Sequence, residues 1–117
     1  MTIERLNENA HMSKIVIHDN LVYMSGQVAD DPSQDFDGQL RQILAKLDAQ
    51  LEGIGLDRKH ILSAMVWIDD YKKWPRLNEI WDQWVIPGHK PVRSCVEAKL
   101  AFPEYEVEIA VTAARKP

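Results

Sequence analysis

Two side chains near the end of the chain have the types and setting to handle a small carboxylic acid. The run Val92-Arg93-Ser94-Cys95-Val96 reads as strand interior, yet it holds an arginine and the only cysteine of the molecule. Period-two alternation puts Arg93, Cys95 and Glu97 on one face and Val92, Ser94 and Val96 on the other. In the last strand Val107, Ile109 and Val111 form an apolar face. Glu106 and Glu108 fall opposite, followed by the small Ala110 and Thr112. In a recessed, partly dry site the planar fork of Arg93 grips a carboxylate through two parallel hydrogen bonds. A nearby Glu108 then serves as general base on a water. The plainer reading is an Arg93–Glu108 ion pair, or two charges facing solvent. Their spacing even suits a hairpin that sets the two opposite one another.

Other candidates carry less. Cys95 as a residue type is more often a small buried group than a nucleophile, and no histidine sits at a telling distance from it. His11, His18, His60 and His89 are scattered without metal-ligand spacing, so turn or surface positions are expected and no metal. Trp67, Trp74, Trp81 and Trp84 concentrate around one helical stretch and read as packing. No phosphate-binding loop, dinucleotide fingerprint or nucleophile elbow occurs.

The elements that must position these groups follow from periodicity. Ile15–His18 and Leu21–Met24 are short strands joined by the turn Asp19-Asn20, and Ser25-Gly26-Gln27 ends the hairpin. Glycine there permits a bulge or a close backbone approach. Apolar residues then recur at Phe36, Leu40, Ile43, Leu44, Leu47, Leu51 and Ile54, which is helical spacing. Asp35 or Ser33 suits its start, and Gly53 or Gly55 its stop. Ile61–Ile68 is a largely apolar strand and so a central one. Asp69-Asp70 caps a second helix with Pro75 in its first turn and Leu77, Ile80, Trp81 and Trp84 on its apolar stripe. Strands at about Val92–Lys99 and Tyr105–Ala114 finish the chain, and Ile3–Leu6 offers a further short one. The fold class is α+β, with both helices on one side of a sheet. The other sheet face carries Val, Ile and Tyr, which favours cover by another copy of the chain.

At 117 residues the chain, 1–117, is most simply one domain. Its 45% apolar and 27% charged residues are the mix of a globular protein in water. A net charge of -4 without a Lys/Arg stripe counts against nucleic-acid binding. The N-terminus lacks a signal-peptide core, and no stretch approaches the ~18 apolar residues of a membrane span. A cytoplasmic location with no membrane contact is expected.

The ordered set of stretches resembles the RidA/YjgF family of reactive-intermediate deaminases. The matching pieces are Leu21 to Val28 (LVYMSGQV), Ala64 to Asp70 (AMVWIDD), Leu77 to Trp81 (LNEIW), Pro91 to Glu97 (PVRSCVE) and Val107 to Ile109 (VEI). They occur in the family's order and cover nearly the whole chain. Trp81 to Val85 (WDQWV) and Pro103 to Ile109 (PEYEVEI) look most like its YoaB-like branch. The resemblance implies a chorismate-mutase-like α+β fold whose last two strands do not pair directly. It also implies a homotrimer with sites in the clefts between subunits. The implied activity is hydrolysis of 2-imino acids, in equilibrium with enamines, to 2-oxo acids and ammonia, without a cofactor.

Carried over position by position, Arg93 matches the arginine that binds the substrate carboxylate, and Glu108 the acidic residue that positions water. Cys95 matches a lining cysteine that contacts ligand through its backbone. Ser25 and Gly26 match the lining after the early strand, and Asn78 an asparagine on the second helix. One position departs: the family's pocket tyrosine is replaced by Met12, so the aromatic hydroxyl is absent. Two other functions use the same residues differently. One is a non-catalytic binding protein for small 2-oxo acids, clamped by Arg93. The other is an endoribonuclease, against which the acidic charge counts.

Overall fold

The computed structural model describes residues 2–115 of the chain. β1 (Ile3–Leu6), β2 (Ile15–His18) and β3 (Leu21–Met24) form an antiparallel meander, with inward and outward residues alternating along β2 and β3. The β2–β3 turn runs through Asp19 at φ 54, a left-handed conformation that aspartate tolerates better than a branched residue. Helix α1 (Phe36–Gly53) starts where Asp35 Oδ1 accepts from the Gly38 N–H at 2.9 Å. It stops just ahead of Gly55, whose φ of 78 suits glycine. A single turn at Arg58–His60 leads into β4 (Ile61–Ile68).

Asp70 caps a short turn, Tyr71–Lys73, rather than the second helix itself. That turn runs straight into α2 (Trp74–Trp84), with Pro75 in its first turn as expected. The final strands are shorter than their sequence patterns, β5 at Val92–Glu97 and β6 at Val107–Ala114. Ala98 still donates to the Ile68 carbonyl, but the chain then turns, and Tyr105 N–H bonds back to Phe102.

The six strands form one mixed sheet in the order β1-β2-β3-β6-β4-β5. β4 lies between β5 and β6, parallel to the first and antiparallel to the second. A parallel neighbour needs a crossover, and α2 supplies it. The hairpin that the spacing of Arg93 and Glu108 suggested does not form, as the resemblance implied.

Both helices pack on one face. Leu40, Ile43, Leu47, Leu51 and Leu77 are fully buried against Val22, Val66, Val107 and Ile109. Of the buried polar residues Gln27 and Gln39, it is Gln39 that is fully buried beneath the helices. Its Nε2 donates to the carbonyls of Pro32, Gln34 and Glu104, and its Oε1 accepts from the Glu106 N–H. It thus pins α1 to the entrance of β6. Leaving such buried partners unpaired costs about 1–3 kcal/mol each, so the glutamine is structural. The other sheet face carries Leu21, Tyr23, Val92 and Val96, all exposed. Among the described residues no helix is long and apolar enough to cross a membrane.

Candidate functional site

The sheet register decides where each candidate side chain goes. Arg93, Cys95 and Glu97 pair with Ala64, Val66 and Ile68, which are buried beneath the helices. Directly paired residues share a face. Arg93 therefore projects to the helical side, at the sheet edge, where α2 meets it. Its Nη2 donates to Asn78 Oδ1 at 2.7 Å, and its Cζ lies 5.6 Å from the centre of the Trp81 ring. An amide and an aromatic face thus hold the guanidinium, leaving donors of its fork for a ligand. Among the described residues Arg93 enters no ion pair. The plain pairing with Glu108 is absent.

Cys95 follows along the same strand face and is half-buried. Burial pushes its thiol pKa up, while Arg93 pulls the other way more weakly. The thiol stays protonated near neutral pH, which suits a lining residue and not a nucleophile.

Glu108 pairs with Trp67, whose other neighbour is Val96. It thus lies on the open face, opposite to Arg93. Gly26 is beside it, fixed where Gln27 exchanges two backbone hydrogen bonds with Ile109, at 2.8 and 3.1 Å. A Cβ at Gly26 would clash with Glu108 Oε2 and stand 3.1 Å from its Cδ. The carboxylate occupies the space that the missing side chain leaves. Burial pushes the Glu108 pKa above the ordinary carboxylate value, and burial is the sole cause. Ser25 donates its N–H to the Lys14 carbonyl and receives Gln27 Nε2 on its hydroxyl. The turn that carries Met12, half exposed, is closed by Asn9 Oδ1 just before Lys14. Glu106 lies just ahead of β6, and Lys73 holds it in an ion pair.

The candidates therefore form two half-sites. Arg93, Asn78 and Cys95 stand on the helical side of the sheet edge, and Glu108 and Gly26 on the open face, with Ser25 next to Gly26 in the chain and β4 between the two groups. One chain does not bring them together. Sequence reasoning missed Trp81 as the ring beneath the guanidinium, because its helical spacing signals packing equally well.

Gly26→Ala tests the second half-site. Gly26 has no positive φ, so alanine adds contact and not backbone strain. If Glu108 serves the hydrolysis that the sequence resemblance implies, kcat should fall about tenfold through displacement of its carboxylate. An unchanged kcat would remove Glu108 placement from the chemistry.

A family model described as endoribonuclease L-PSP matches residues 2–115. The RutC family protein YoaB of Escherichia coli is 40% identical over 114 residues, covering 97% of this chain and 99% of that protein. A crystal structure of a protein from Pseudomonas aeruginosa superposes with a TM-score of 0.94 at 41% identity, covering 98% of this chain and 100% of that one. NMB1025 of Neisseria meningitidis, a member of the YjgF protein family, gives a TM-score of 0.90 at 33% identity, covering 100% and 98%.

Proposed function

Because the chain belongs to the endoribonuclease L-PSP family, in its YjgF/RidA, YoaB-like group, we propose that it hydrolyses 2-imino acids such as 2-iminopropanoate and 2-iminobutanoate to 2-oxo acids and ammonia. The observation that carries this reading is the pair of unfinished half-sites. An arginine fork is held from behind by Asn78 and Trp81, and a desolvated Glu108 is held behind Gly26. Each supplies what the other lacks. Three copies arranged as a closed ring would set the β5 edge of one against the open sheet face of the next, completing three sites and covering exposed apolar surface.

The chemistry follows from those groups. Arg93 fixes the substrate carboxylate and so orients the C=N carbon. Glu108 takes a proton from water as the new C–O bond forms, giving a carbinolamine. Return of that proton to nitrogen makes ammonia the leaving group; as the C–N bond breaks the C=O bond forms, and the hydroxyl gives its proton to the Glu108 carboxylate. The protonated imine is electrophilic enough that an ordered water and a clamp suffice.

The test is to follow imine loss with the purified protein, generating 2-iminopropanoate in place, alongside its mass by sedimentation. Accelerated loss and three chain masses are expected; a rate equal to the buffer control overturns the reading. Met12, which leaves the site without an aromatic hydroxyl, favours one rival, a binding protein for 2-oxo acids. Saturable 2-oxobutanoate binding without any turnover would establish that rival. For RNA cleavage, a net charge of -4 gives no purchase on phosphates.

A further inference from the structure

The tryptophans of α2 do not share one fate. Trp81 and Trp84 are packed inside, but Trp74 is 50% exposed and Tyr71 before it 65%. With Ile68, Cys95, Val96 and Glu97 these two rings line a cleft of about 260 Å³. This corrects the reading of Trp74 as packing. It also leaves large aromatic surface exposed beside the carboxylate clamp.

Cleft and clamp lie on one continuous surface. Trp74 precedes Asn78 by one helical turn, so both project from the same face of α2. Cys95 follows Arg93 by two residues on the same strand face, about 7 Å along it. The row Arg93–Asn78 holds the clamp, and the next row, Cys95–Trp74, opens the cleft.

We propose that this cleft is the side-chain subsite and that it takes imino and oxo acids with an aromatic or large branched apolar side chain. The inference rests on Arg93 clamping the carboxylate. Three carbon–carbon bonds of about 1.5 Å each carry a phenyl ring from a clamped carboxylate into the row of Cys95 and Trp74. The cleft holds roughly eight water volumes, far more than a methyl group displaces. Burying an apolar ring between Tyr71 and Trp74 adds affinity that a methyl cannot match. At the far end the Glu97 carboxylate accepts from the Tyr71 N–H at 2.8 Å and repels a second substrate carboxylate. Products of acidic amino acids are thereby disfavoured.

The test is binding, which does not depend on turnover. Calorimetric titration of the full-length protein compares pyruvate, 4-methyl-2-oxopentanoate, 3-phenyl-2-oxopropanoate and 2-oxoglutarate. The phenyl acid is expected to bind about tenfold or more tightly than pyruvate, the methyl-branched acid between them, and 2-oxoglutarate weakest. Trp74→Ala should reduce the phenyl-to-pyruvate affinity ratio to near one, and Trp74→Phe should restore most of it. The same ratio measured as kcat/KM on the imines of alanine and phenylalanine should move in parallel. Selectivity erased in Trp74→Ala supports the subsite even if no imine turns over, in which case only the deaminase reading fails. Equal affinities in the unaltered protein, or a preference that survives Trp74→Ala, overturn the subsite while leaving imine hydrolysis standing. If no oxo acid binds and no imine is consumed, both fall.

Discussion

Arg93→Ala is expected to lower kcat/KM for 2-iminopropanoate by roughly ten- to a hundredfold or more, since it removes a charge-assisted bidentate grip of about 1.5–3 kcal/mol. The carboxylate carries its charge in both ground and transition states, so affinity for 2-oxobutanoate should fall alongside the rate. Arg93→Lys keeps the charge but loses the fork and the planar contact with Trp81, so it should recover only part of the activity. Folding gives the necessary control. Among the described residues the Arg93 side chain makes one hydrogen bond, to Asn78, in a partly buried place, and losing it costs about 1 kcal/mol. Thermal unfolding should therefore shift by a few degrees only. A variant that folds and hydrolyses imine as fast as the unaltered protein would place the clamp elsewhere.

The local elements were legible because each announces itself within a few residues. The apolar repeat from Phe36, Asp35 at the cap and Gly55 at the stop mark α1; alternation marks the strands. The site was legible only as separate residues. Alternation gives the parity of Arg93 within β5 and of Glu108 within β6, but it says nothing of which strand lies between them. Once β4 is inserted, the two side chains fall on opposite faces. The one pointer was the family resemblance, which implied that the last two strands do not pair directly. Gln39 escaped notice because a glutamine on an apolar stripe looks like tolerated polarity until its four backbone partners are seen. Asn78 came from family resemblance; nothing in its own helix pattern marks it as a partner of Arg93.

Glu108→Gln separates chemistry from binding. It keeps the size of the side chain and leaves Arg93 intact, so 2-oxobutanoate should still bind. The kcat should fall roughly a hundred- to ten-thousandfold, the usual contribution of a general base. In the unaltered protein kcat should rise with pH as Glu108 ionises, with a midpoint above the ordinary glutamate value of about 4.3, because burial opposes the charge. In the proposed ring, Arg93 of the neighbouring copy would favour the Glu108 carboxylate in the free site and bound substrate would neutralise that effect, so the acid limb of kcat/KM should lie lower. Stability carries its own sign. A carboxylate whose folded pKa is raised loses stability as pH climbs from its unfolded to its folded value. The glutamine variant, which never ionises, should thus be at least as stable at neutral pH. Mixing decides whether the two half-sites belong to different chains. If Arg93→Ala and Glu108→Gln subunits, each nearly inactive alone, are unfolded together and reassembled in equal amounts, about one site in four regains both groups in a closed ring. Recovery near that fraction requires Arg93 of one copy to face Glu108 of the next. No recovery from a properly reassembled mixture would put both groups in one subunit's site, against the faces on which β5 and β6 present them.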